Sequence, residues 1–536
     1  MSKPGHQIPE DFHALRQVEV NMTVKTPEFS PSRRTVLVGL GAGLTAMALP
    51  RNASAQSMKT LRYGLSTFPP SLAPWETNGN AANTVKLMIF RGLMGYDQDA
   101  KLVPELAESV EQPDAQTLIF KLRANAKFHN GEPVTAEDVI YSFSAIMAPE
   151  STAYLKASFQ NVDTMEALDD KTLKITLKEP SAVFTQILAN YCAGIVWAGS
   201  AEDDPIGAGP YTIKSQEKGV YVELERFPDF YDAGQPLSDT IRFIAYADEN
   251  LRFAALEAGD VDVIEYLPWQ QFENVRNSDR LEISATQGPF MLVLFNVAKE
   301  GPFADPLVRR AVGYAIKRQD VIDAAFAGNG EPLLGFPNPK GSQFDLSNPD
   351  AEWTYDPEKA KAMLAEAGYP NGFDCTLLAT STYGMHQDTA SIVQAYLAMV
   401  GINATLDLPD WSSRIKAGKE GNYDIAVHGL SGFYNDPDAM WNLLHSGDAN
   451  YVRSFGFSSE RIDGLLEAGR AEIDPAKREA IYKELYQAYY DEVPQVPLNW
   501  RTQAHAFDSG SVTGFHCFPG WLNGSTAYVL DESAVS

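Results

Sequence analysis

The sequence predicts an α/β protein in which at least one lobe is built on an open parallel sheet, and three observations carry that prediction. Residues 373–430 alternate strand and helix patterns: "DCTLLAT", a helix with Ile392, Val393, Tyr396, Leu397 and Val400 on one face, "INATLDL", the short helix "SSRIKAG", then "YDIAVHG". Helices carry start and stop signals, as in "YDPEKAKAMLAEAGY", with Asp356 as N-cap, Pro357 at the first helical position and Gly368 just past the end. The chain of 536 residues is also long enough for two or three domains with a large core. Right-handed crossovers lay the three strands of the βαβαβ run in one sheet with their carboxyl ends on a common edge. Open α/β sheets bind ligands at that edge.

Taken in order, the first element is a leader. "SPSRRTVLVGLGAGLTAMALPRNASAQ" places Arg33-Arg34 before an apolar run from Val36 to Leu49 and then the small-residue site Ala53-Ser54-Ala55. This order reads as an export signal spanning residues 1–55, cut after Ala55. "SRRTVL" resembles the twin-arginine pattern, whose substrates usually cross the membrane already folded. The apolar run is too short to span a bilayer comfortably. No cysteine follows it, so the mature chain is expected free in the periplasm of a Gram-negative bacterium. The leader holds six basic and four acidic residues, so its removal takes the net charge from −27 to −29. Such a surface repels nucleic acid and anionic lipid.

Cys192, Cys375 and Cys517 permit at most one internal disulfide, in any of three pairings. Neither H-x-x-x-H nor H-E-x-x-H spacing occurs, and no metal site or cofactor is expected. G-x-S-x-G and the phosphate-binding G-x-x-x-x-G-K-[ST] are also missing, so no catalytic residue is assigned.

The mature chain begins with a strand, "MKTLRYGLS", and an extended proline loop, "TFPPSLAPW". Next come a helix, short strands and a helix led by Thr135, with Glu137 and Asp138 in its first turn. This region contains "LVPELAES" and "LIFKLRANAKFHNGEPVTAEDVIYS". Downstream stand "PIGAGPYTI", "LRFAALEAGDVDVIE", "LFN" with "PFADPLVRRAVGYAI", and "YDPEKAKAMLAEAGY". In content and order these blocks resemble the family 5 extracellular solute-binding proteins, the dipeptide, oligopeptide and nickel-binding class of ABC importers.

The resemblance implies a two-lobed periplasmic binding protein fold, class II and cluster C type, with a subdomain inserted in the first lobe. The expected boundaries are 56–95, 200–289 and 501–536 for lobe I, 96–199 for the insert and 290–500 for lobe II. It implies a monomer that captures a peptide, peptide-like or amphipathic solute between its lobes, without chemistry, and delivers it to ABC permease subunits. A saccharide- or opine-binding protein of the same fold is an alternative, as is an exported enzyme or a receptor or chaperone-like protein. His129, in a scaffold block, is expected to be a hydrogen-bonded structural residue.

The strand ends Thr380 to Tyr383, Asp410-Trp411 and Leu430 to Tyr434 form the predicted ligand edge. Aromatic residues on or beside loops, Phe68, Trp75, Trp411, Phe433, Tyr434 and Trp441, suit a pocket that desolvates an amphipathic solute. With Thr380, Thr382, Ser431 and Asp436 they make up the expected ligand set. In "NDPD", Asp436 or Asp438 is also expected to begin a turn and cap a helix. Dipeptide-type relatives anchor the ligand's ammonium with an Asp four residues before the Pro of a motif matching "FYNDP", and its carboxylate with an Arg at the end of a preceding strand. The resemblance places those anchors at Phe433 and Thr380, neither of which is charged.

Overall fold

Eleven strands form one sheet that passes through both lobes of the computed structural model. The described residues are 59–535 apart from 77, 78, 202, 341, 343, 345 and 448–450, so the leader lies outside them. In chain order the strands are β1 (Thr60–Leu65), β2 (Tyr211–Glu217), β3 (Tyr221–Arg226), β4 (Thr240–Ala245), β5 (Val263–Ile264), β6 (Leu281–Phe295), β7 (Gly330–Pro332), β8 (Phe373–Leu378), β9 (Ile402–Asp407), β10 (Ile425–Leu430) and β11 (Gln495–Asp508). Their spatial order is β9-β8-β10-β6-β11-β5-β1-β4-β3-β2, with β7 paired beside β11.

The βαβαβ run forms the three-stranded parallel sheet expected of it. Phe373 pairs with Ile402 and Leu377 with Ile425, so β8 lies between β9 and β10. The short helix between β9 and β10 is longer than its apolar pattern indicates, running from Trp411 to Glu420. Asp410 starts it early by accepting the Ser413 amide at 3.1 Å, and Gly421, at φ 70°, ends it.

Two long antiparallel strands join the halves. The first half of β6 is partly exposed and pairs with β11 alone, whereas Phe290–Phe295 are buried and pair with β10, and Phe290–Leu294 pair with β11 as well. Burial on both faces explains why "FMLVLF" is continuously apolar. The register shifts between Gln287 and Phe290 and again between Met291 and Leu292. At this crossing a Cβ on Gly288 would lie 2.0 Å from the Gly520 carbonyl oxygen.

A separate antiparallel sheet is ordered Ala107–Glu111, Thr117–Leu122, Thr172–Leu177, Val162–Asp169. Leu118, Phe120 and Leu122 alternate with more exposed residues and are buried, as are Leu173, Ile175 and Leu177. Beside it, helix Ala136–Met147 is fixed by a reciprocal capping box between Thr135 and Asp138. His129 shares a hydrogen bond of 3.0 Å with the Gly209 carbonyl, and burial holds its pKa down at about 4. All three cysteines are free thiols, which answers the open question of their pairing. No helix among the described residues is long and apolar enough to cross a membrane.

Candidate functional site

Strands β8, β9 and β10 end side by side, and the segments leaving them are tied together by short polar contacts. Thr380 is fully buried; its hydroxyl donates to the Pro409 carbonyl at 2.9 Å and accepts the Thr382 amide at 3.2 Å. Thr382 Oγ1 in turn accepts the Trp411 amide at 3.0 Å. These bonds place Trp411 at the head of its helix, where its ring lies edge-on to Tyr383 at 5.2 Å and to His386 at 5.9 Å. The same indole lies nearly parallel to the His428 ring, 6.3 Å away.

One turn into that helix, Arg414 points inward and is fully buried. Its Nη2 donates to the Val427 carbonyl at 3.3 Å, but Nε and Nη1 have no partner. Arg501, on β11, is 7% exposed; its Nη1 meets Met385 Sδ at 3.4 Å and its Nε has no partner. Burial lowers the pKa of both guanidinium groups, and only tyrosines oppose that: Tyr423 and Tyr451 at Arg414, Tyr266 at Arg501.

His386 and His428 complete the cluster, each 2% exposed, each with Nδ1 unpartnered, and with ring centres 5.9 Å apart. Burial, reinforced by Arg414 and Arg501, holds His386 down at about 3. Burial, Arg414, His386 and Arg501 together hold His428 well below the usual histidine range. Both rings are therefore neutral at physiological pH. Gly429 makes this packing possible, because a Cβ there would meet Met291 Sδ at 2.9 Å and His386 Nε2 at 3.2 Å.

The loop after β10 faces other partners. Ser431 Oγ donates to the Gly432 carbonyl at 3.2 Å and lies 3.5 Å from Asn523 Oδ1. Gly432 lies on the Trp521 indole, where a Cβ would come within 2.5 Å of the ring. Asn435 accepts the Trp521 amide at 2.8 Å and donates to the Pro519 carbonyl at 3.1 Å, so it clamps the loop to the C-terminal segment. Phe433 packs against Tyr154 at 5.0 Å and Tyr191 at 6.1 Å, both from the segment expected to be the insert. A narrow cleft there is lined by Tyr154, Ile187, Asn190, Phe433, Trp441 and Arg470 among others.

The acids of "NDPD" are locked within the protein. Asp436 is fully buried, receives Arg478 through two hydrogen bonds of 2.6 and 2.9 Å, and caps the short helix Pro437–Met440 by accepting the Asp438 amide at 2.9 Å. Asp438 receives Arg470 through two bonds of 2.9 Å and Tyr434 OH through one of 2.6 Å. Asp436, expected above to face the solute, instead turns its carboxylate to Arg478 and the helix cap. Thr380 likewise ties the segment leaving β8 to the one leaving β9.

Trp441 stacks on His445 at 4.0 Å beneath the Arg470 guanidinium. Trp75 donates from Nε1 to the Gly194 carbonyl at 3.0 Å, and its carbonyl accepts the Tyr154 amide at 3.0 Å, so it anchors the proline loop next to Phe433's partner. Phe68 is half-buried against the main core.

The structure thus separates the expected set into a strand-end group (Thr380, Thr382, Trp411), a loop group (Ser431, Phe433, Tyr434, Asp436, Trp441) and two loop aromatics of the first segment. His386, His428, Arg414 and Arg501 were not in that set. The one sequence signal for Arg414 is its place a helical turn after the strand-end residue Trp411; Arg501, in a distant strand, offers none.

A profile described as bacterial extracellular solute-binding proteins, family 5 Middle, matches residues 101–451. The chain belongs to this family. The family 5 chain is 38% identical to the PBP AgaA from A. tumefaciens R10, solved in complex with agropinic acid, with a TM-score of 0.81 over 89% of this chain and 99% of that one. It is 29% identical to the glutathione-binding protein GsiB of Pectobacterium atrosepticum over 500 residues, 90% of this chain and 96% of the relative. Its fold also matches DppA from Helicobacter pylori in complex with the peptide STSA, with a TM-score of 0.78 at 23% identity over 89% of this chain and 98% of that one. Family 5 proteins are solute-binding components of ABC importers, and the two-lobed fold expected from the sequence is the fold found.

Proposed function

We propose that this protein captures a small peptide-like or amphipathic solute in the periplasm, between its lobes, and presents the closed form to its permease. The observation that carries this reading is the meeting of Phe433, from the loop after β10, with Tyr154 and Tyr191 from the far side of the cleft. A solute that touches both sides favours the closed form by its differential affinity for it. Supporting the expected lobe boundaries, β6 changes register and burial near residue 290, and β11 changes partners near residue 500. In the same reading the chain is exported by its twin-arginine leader, cut after Ala55, and works as a monomer; Trp411 and Phe433 form the pocket wall.

An opine-like conjugate is the second reading. It is favoured by the uncharged residues Phe433 and Thr380 at the dipeptide anchor positions and by the similarity to AgaA, whose structure is in complex with agropinic acid. The test is native mass spectrometry of the protein purified mildly from its host, repeated with Phe433→Ala. The expected result is one solute retained by the wild type and lost from the variant; equal retention by the variant removes Phe433 from the wall.

A further inference from the structure

The cluster at the ends of β8, β9 and β10 has cations with no carboxylate opposite them, although the Arg414 guanidinium lies 5.7 Å from the Trp411 and Tyr451 rings. Buried polar groups in folded proteins find hydrogen-bond partners with few exceptions, and buried charges are paired. Arg414 and Arg501 break both rules in one place: three of their N–H-bearing nitrogens are unpartnered, and no carboxylate is among the groups acting on either. Two buried guanidinium groups with open donors are a costly arrangement for a free protein. A bound anion would remove that cost, because guanidinium donors match the oxygens of a carboxylate in charge and in planar geometry.

The surroundings sharpen the ligand's chemistry. His386 and His428 stand beside both arginines, each with Nδ1 unpartnered. A neutral imidazole offers one donor and one acceptor, so the pair provides polar contacts without adding charge. Across the loop, Trp521 Nε1 and Asn523 Nδ2 are further N–H groups without a partner, against Gly432 and beside Ser431. The Trp411 indole flanks the imidazoles. Conversely, the buried acids of this edge are already neutralised: Asp436 by Arg478 and Asp438 by Arg470. An ammonium entering here would meet cations and engaged acids.

We propose that the solute is an amphipathic carboxylic acid whose carboxylate sits between Arg414 and Arg501, with its apolar part along Trp411, and that an α-ammonium is not required for capture. This rests on the reading of the interlobe cleft as the solute site and adds the charge of what fills it.

The test uses the mature protein after exhaustive dialysis. Succinate, phthalate and N-acetylglutamate are compared with their dimethyl esters, and with phenyl phosphate, by thermal shift and calorimetry at equal ionic strength. At least one acid should stabilise the wild type where its ester does not. Arg414→Met and Arg501→Met should each weaken that acid at least about tenfold, the scale of a charge-assisted hydrogen bond. Without ligand, both variants should melt no lower than the wild type, since no carboxylate offsets the charge removed; a merely structural arginine would lower it. Equal response to acid and ester, no response to any acid, or a response that survives both substitutions overturns the proposal. A response to phenyl phosphate alone overturns the carboxylate in favour of a phosphate. The acid-against-ester comparison needs only the wild type, so the test holds even where a variant does not fold. Native mass spectrometry keeps the two readings apart: a retained neutral solute sinks the anion site and leaves solute capture standing. Retention of no solute, with no stabilisation by host extract, sinks capture itself.

Discussion

At the scale of single residues, charge pairing decides which polar groups support the fold and which are open to a ligand. Asp436 and Arg478 are both buried and hold each other through two hydrogen bonds. Arg478→Met leaves a buried carboxylate without its cation and should lower unfolding free energy by about 3–5 kcal/mol in urea. Asp436→Asn in the same chain should restore a large part of that loss. Restoration of nothing would mean that Arg478 acts mainly through packing on Phe344 and Tyr482. At this scale the sequence was legible where a capping side chain precedes a helix, as at Asp356 and Thr135, because capping is a local contact. Whether Asp436 faced a solute or an arginine 42 positions away was not legible, because that choice is made by tertiary packing.

At the scale of elements, the helix Trp411–Glu420 links local capping to the site. Asp410 accepts the Ser413 amide at 3.1 Å and its hydroxyl at 2.7 Å, and the helix so started places Trp411 and Arg414 one turn apart. Asp410→Ala should cost about 1 kcal/mol of stability. It should weaken solute binding as well, although Asp410 is exposed; unchanged affinity would show that tertiary contacts alone hold the helix start. The strand crossing offers a second test. Gly288→Ala places a methyl 2.0 Å from a backbone oxygen that cannot move freely, so it should lower the melting temperature and change the solute-dependent fall in radius measured by small-angle scattering. The parallel strands were readable from the alternation of strand and helix patterns along residues 373–430. Their continuation into β6 and β11 was not, because antiparallel pairing across more than 200 residues leaves no periodic mark.

At the scale of the whole molecule, buried histidines couple stability to pH. His129 and His505 are held at about 4 and His386 at about 3, each chiefly by burial, and His428 lies well below the ordinary value. The unfolded chain takes up these protons as pH falls through about 6.5, while the folded chain does not. The stability tied to each ring is therefore intact above about pH 6.5 and lost as pH falls, by about 2 kcal/mol per histidine at pH 5. Other buried groups titrate too, so the check is a difference: His428→Gln should flatten the loss between pH 6.5 and pH 5 by about that amount, measured by urea unfolding. The family and its two lobes were visible in the order of sequence blocks spread along the chain. The cationic cluster was not, since Arg501, which joins Arg414, His386 and His428, comes from the distant strand β11.

The free state of Cys192, Cys375 and Cys517 has a consequence for manufacture of the molecule. With no sulfur–sulfur bond to close, nothing in the native structure waits for an oxidising compartment, and the chain can reach its final shape in reducing cytosol. Ellman's reagent should find close to no reactive thiol in the folded protein and three in denaturant. Refolding in the presence of dithiothreitol should then proceed as fully as without it, and a reductant-dependent yield would contradict the free-thiol assignment.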